Sequence, residues 1–96
     1  MLRSMFVIED QIHAEWIGQY TTRAEALSEL RRLAALAWNQ APNSAPCMSW
    51  ATCGREYELV HFDQTSSPWK ELDRLAALNI SAAKTEWLLD DDVSAA

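Results

Sequence analysis

Five tryptophans, at positions 16, 38, 50, 69 and 87 of a 96-residue chain, set the tightest limit on what this sequence can become. Each ring buries up to about 250 Å² when packed. A chain of this length supports one core, leaving roughly 5,600 Å² exposed and burying about 65% of its unfolded surface. The sequence therefore reads as one domain spanning residues 1–96, with most of its indoles sharing a single interior. Trp16, Trp38, Trp69 and Trp87 fall on expected core faces, whereas Trp50 falls in a long loop, where it is either a plug for the core or an exposed binding anchor. Hydrophobic residues at 49% and charged residues at 23% match a globular chain rather than a disordered one. Two glycines exclude Gly-rich phosphate loops and collagen-like repeats. No apolar run reaches the ~20 residues of a membrane span, and the N-terminus does not read as a secretory signal, so the expected compartment is the cytoplasm.

Met5-Phe6-Val7-Ile8 reads as a strand and Glu9-Asp10-Gln11 as a turn. From His13 to Tyr20 the residues alternate, with Ala14, Trp16, Gly18 and Tyr20 on the face expected to meet the core. Thr22-Arg23-Ala24-Glu25 is a capping box. It opens a helix to about Trp38, whose Leu27, Leu30, Leu33, Ala34, Ala37 and Trp38 recur at three- and four-residue steps. Residues 39–54, with two prolines, two asparagines and two serines, read as a long loop, and loops of that length are more often functional than idle. Arg55 to Phe62 returns to strand character. Ser67-Pro68 opens a second expected helix with a stripe of Trp69, Leu72, Leu75 and Ala76. Residues 79–89 fit either a continued helix or a last strand; Asn79 as a cap and the Thr85-Glu86-Trp87 segment favour the strand. Residues 90–96 read as a frayed acidic tail. The expected fold is α+β: a small, mostly antiparallel sheet of three or four strands with two helices packed on one face.

Cys47, Cys53, His13 and His61 together match the composition of a tetrahedral zinc site, but the five residues between the cysteines exceed the usual spacing of two to four. No metal and no cofactor is expected. A Cys47–Cys53 disulfide is geometrically allowed, yet a reducing compartment favours two free thiols. Cys53 with His61 is the only pair available for nucleophilic catalysis, and no oxyanion cradle accompanies it, so the chain does not read as an enzyme. Glu56 and Glu58 share one face of a strand about 7 Å apart, a spacing that a solvated face explains as well as a cation or acid–base site does.

Eight Lys and Arg against 14 Asp and Glu give a net charge of −6. That field opposes nucleic acid and anionic membranes and suits a partner with a basic surface. The resulting expectation is a protein-binding module, an inhibitor or regulator of an immunity, antitoxin-like or anti-defence kind. Trp50, Met48, Glu56 and Glu58 are its candidate contact residues. Two rivals remain open: a small enzyme or ligand-binding domain with a cleft beside residues 39–54, and a nucleic-acid regulator using Arg23, Arg31 and Arg32. Self-association as a homodimer is expected as well, since so short a chain has little room to hide its apolar surface.

Overall fold

The computed structural model describes residues 3–44, 54–81 and 83–89. In chain order the elements are β1 (Ser4–Asp10), β2 (Glu15–Tyr20), α1 (Arg23–Ala35), β3 (Gly54–Asp63), β4 (Lys70–Ser81) and β5 (Thr85–Trp87). All five strands form one antiparallel sheet in the order β2-β1-β3-β4-β5. The expectation of two helices on three or four strands is thereby overturned: among the described residues one helix lies on a five-stranded sheet, and the fold is mostly β.

The helix forms where its capping box stands. The Glu25 amide donates to Thr22 Oγ1 at 3.1 Å, and the Thr21 and Thr22 hydroxyls donate to the Glu25 carboxylate. Those hydroxyls hold the Glu25 carboxyl below its usual range. Ala26, Leu27, Leu30 and Leu33 are buried against Phe6 and Ile8 of β1, Tyr57 and Leu59 of β3, and Ala77, Leu78 and Ile80 of β4. Burying side chains of this kind stabilises a fold by about 1.5–3 kcal/mol each. The helix stops at Ala35, short of the expected Trp38, because Leu36 turns extended and the Asn43 side chain donates to the carbonyls of Leu33 and Ala37.

The second expected helix is β4, which pairs with β3 along its length. Two bulges explain the misreading. Leu72 and Ala77 are extra residues in the ladder, so His61 faces Asp73 while Phe62 faces Glu71, and Tyr57 faces Leu78 while Glu58 faces Ala76. Each bulge breaks the period of two, and the one at Ala77 places the core residues Leu75 and Leu78 three apart, which imitates a helical stripe. Pro68 lies before the strand, where it removes no ladder hydrogen bond. Asn79 sits within β4 opposite Glu86 rather than capping a helix, and the last strand is confined to residues 85–87.

A third bulge re-aims Trp16. Ile8 pairs with Gly18 and Glu9 with Trp16, leaving Ile17 as the extra residue of β2. Ile17 and Tyr20 pack on the helix side, and Trp16 turns to the other face, where it is 45% exposed. Its expected place in the main core is therefore corrected, and so is that of Trp69, which packs on the side that α1 does not cover. Trp38 and Trp87 are partly buried against the main core. Trp50, Met48, Cys47 and Cys53, and the tail from residue 90, lie outside the described residues. Among the described residues no helix is long and apolar enough to cross a membrane.

Candidate functional site

Alternation along β1 and β3 sends Val7 and Val60, which pair directly, to the face that α1 does not cover. Both are fully buried nonetheless. Phe62, Met5 and Trp69 close over them, and Trp16 completes the cover from β2. The Trp16 ring lies 5.5 Å from that of Phe62 and 6.0 Å from that of Trp69, and Phe62 lies 5.9 Å from Trp69. These are ordinary aromatic packing distances. Beside the cluster Trp16, Phe62, Pro68 and Trp69 line a shallow depression of about 400 Å³. Leu72, the extra residue of a β4 bulge, is 42% exposed but does not line this depression.

The same face carries a charged margin. Glu9 and Glu58 stand directly opposite each other on β1 and β3, an arrangement of like charges that destabilises a sheet when uncompensated. Arg74 of β4 compensates it, donating from Nη1 to Glu58 and from Nη2 to Glu9 at 3.1 Å and Glu71 at 2.8 Å. Hydrogen bonding to Glu71 and then Glu58 holds the guanidinium far above its ordinary value, so Arg74 is a permanent cation. Its bond in turn holds the Glu71 carboxyl below the usual range. Three carboxylates around one guanidinium leave this margin negative.

At the end of the sheet, on the helix side, Asp10 is fully buried. Its Oδ1 accepts from the Ile12 amide at 3.1 Å and the Glu56 amide at 3.2 Å, and its Oδ2 accepts from Arg55 Nη1 at 2.9 Å with His13 Nδ1 against the same oxygen. Arg55 also reaches Glu15 and donates to the Ser44 carbonyl at 2.8 Å. Burial works against the charge on Arg55, but Glu15 and Asp10 more than offset it and raise the guanidinium above its ordinary value. Tyr57 donates to Asn43 Oδ1 at 2.9 Å, and burial pushes its phenol well above the usual tyrosine range. The network ties the 11–14 turn, β3 and residues 42–44 together, which is a scaffolding task.

The residues singled out from sequence end in different places. Glu58 belongs to the charged margin, while Glu56 is exposed and lines a separate cavity of about 210 Å³ with Ile12, Arg55, Asn79 and Lys84. His61 stacks on Phe6 at 4.5 Å and bonds Ser4, at a register position about 13 Å along β1 from the Asp10 end where His13 sits. The two imidazoles are not brought together, and among the described residues no group of three His, Cys, Asp or Glu side chains is placed to hold a metal ion. Arg23 lies over the Phe6 ring and Arg31 over the Trp87 ring, while Arg32 pairs with Glu29. Sequence reasoning missed the Trp16–Phe62–Trp69 surface, because its assembly depends on a bulge, and missed the Asp10–Arg55 pair, which joins residues 45 positions apart. No protein-family model matches the chain, and no curated protein or solved structure does so either.

Proposed function

We propose that this chain is a small acidic interaction module that binds and regulates a partner protein, in the cytoplasm, through the face of its sheet that α1 does not cover. The observation that carries the reading is the aromatic cluster on that face, in which Trp16 is 45% exposed over buried Phe62 and half-buried Trp69, with exposed Pro68 beside it. A sheet with one solvated face ordinarily presents polar side chains there. Contiguous aromatic surface on that side is what interfaces use, and tryptophan is enriched among their hot spots. The negative margin formed by Glu9, Glu58 and Glu71 around Arg74, and the net charge of −6, favour a basic partner and a salt-sensitive rate of association. Glu58 thus remains a contact candidate, joined by Trp16 and Trp69; Trp50, Met48 and Glu56 are candidates for extending the contact.

Affinity capture from the native host, followed by binding measurements with the purified partner, tests the reading. Trp16→Ser and Trp69→Ser are expected to weaken binding by about tenfold or more while circular dichroism stays unchanged. Full affinity in both folded variants overturns the assignment of this face. Loss of affinity in Trp50→Ala alone moves the contact to the loop.

A further inference from the structure

Resting on that reading, we infer that the occupant of the Trp16–Phe62–Trp69 surface is a short extended segment of the partner that carries proline and a basic residue. Three observations select it. The first is area. Trp16 is 45% exposed, which leaves about 110 Å² of a side chain that buries at most about 250 Å². With smaller shares from exposed Pro68 and half-buried Trp69 the apolar surface is on the order of 200–300 Å², about a third of the roughly 800 Å² per partner in a standard interface. That is too little for a stable dimer or a globular partner docked on this patch alone, and it matches a peptide. Two copies would also set one acidic margin against another.

The second observation is chemistry. Trp16, Phe62, Pro68 and Trp69 line the depression, and their only hydrogen-bonding side-chain groups are the two indole N–H donors. A β-strand ligand needs a sheet edge for its amides, and this surface is a face. A polyproline II segment has no internal hydrogen bonds, and each proline lacks the N–H that an apolar floor would leave unsatisfied. Its exposed carbonyls suit indole donors, and docking of such segments on aromatic floors is an established mode of recognition. The third observation is charge. Glu9, Glu58 and Glu71 surround Arg74 beside the aromatic floor, so an arginine or lysine of the ligand finds carboxylates on one side and indole faces on the other.

The test uses the full chain and the assigned indole N–H resonances of Trp16 and Trp69. The probes are a peptide of about ten residues repeating Arg-Pro-Pro, the same peptide with serine replacing every proline, and an amphipathic Lys/Leu helix of equal charge. The Arg-Pro-Pro peptide is expected to shift both indole resonances to saturation and to bind about tenfold more tightly than the serine peptide. Trp16→Ala should weaken it by a similar factor, and Leu88→Ala, exposed just after β5 at the opposite edge of the sheet, should leave it unchanged. No indole shift at millimolar peptide, or equal binding of the serine peptide, overturns the inference. So does stronger binding of the helical peptide, or a concentration-dependent indole shift without any peptide, which would make a second copy the occupant. If a captured partner loses affinity in Trp16→Ser but is not displaced by the Arg-Pro-Pro peptide, this inference falls and the assignment of the face stands. If the captured partner is indifferent to Trp16→Ser and Trp69→Ser, the assignment itself falls.

Discussion

Gly54 begins β3 where the backbone of β4 passes closest. A Cβ placed on it would lie 1.9 Å from the carbonyl oxygen of Ile80, a backbone atom that cannot swing away as a side chain would. Gly54→Ala must therefore open the β3–β4 ladder at this end, and a loss of about 3 kcal/mol in urea unfolding is expected. A variant of normal stability would show that the two strands can part there at no cost. Ala14 presents the opposite case. Its φ of 52° puts an L side chain in the left-handed region within the 11–14 turn. That conformation costs roughly 1–2 kcal/mol, against which the flexibility of glycine forfeits roughly 0.5–1. Ala14→Gly is expected to gain about 0.5–1 kcal/mol, read as a rise in the denaturant midpoint, and a fall would contradict the account. Both positions sit at seams between strands, so neither effect depends on the aromatic face.

Among the elements, α1 is opened by its own sequence and closed by another part of the chain. Thr22 and Glu25 cap its first turn from within four residues. At its other end Asn43 Nδ2 donates to the carbonyls of Leu33 at 2.9 Å and Ala37 at 3.3 Å, while Asn43 Oδ1 accepts from the Tyr57 hydroxyl. Asn43 is 1% exposed, so its truncation removes three hydrogen bonds from a buried site at once and leaves a cavity there. The Leu33 and Ala37 carbonyls then keep only the Leu36 and Gln40 amides, and the Tyr57 hydroxyl only the Pro42 carbonyl. Asn43→Ala is expected to cost about 2–3 kcal/mol, more than the ~1 kcal/mol of removing the exposed N-cap in Thr22→Ala. Equal costs would mean that water replaces the asparagine. The strands divide the same way. β1 is legible because its apolar run is regular, and β3 because Arg55 to Phe62 keeps strand character. β4 is not legible, since the bulges at Leu72 and Ala77 scramble its alternation and Glu71, Leu72, Arg74, Leu75 and Ala76 are good helix formers. Long-range pairing to β3 outweighs those local preferences.

For the molecule as a whole, pH acts from both ends. Glu25, Glu29, Asp63 and Glu71 all ionise below their ordinary values, Glu25 through the Thr21 and Thr22 hydroxyls, Glu29 and Glu71 through Arg32 and Arg74, and Asp63 through Thr65. The folded state then holds fewer protons than the unfolded one, so stability should decline as pH falls below about 4. Tyr20 and Tyr57, the chain's two tyrosines, are both raised by burial. Their neutral forms favour the fold, so stability should decline again above about pH 10. Tyrosinate absorbance should appear only above that pH and rise together with loss of structure; normal titration in a folded chain would contradict the burial of Tyr57. What the sequence alone determined is local: the capping box, the apolar stripe of α1, the β1 run and the acidic field, each set by neighbours a few residues apart. The strand character of β4, the outward turn of Trp16 and the Asp10–Arg55 pair were decided by tertiary structure. A β-bulge adds one residue to a ladder and reverses the face of everything beyond it, and only the partner strand shows where that residue goes.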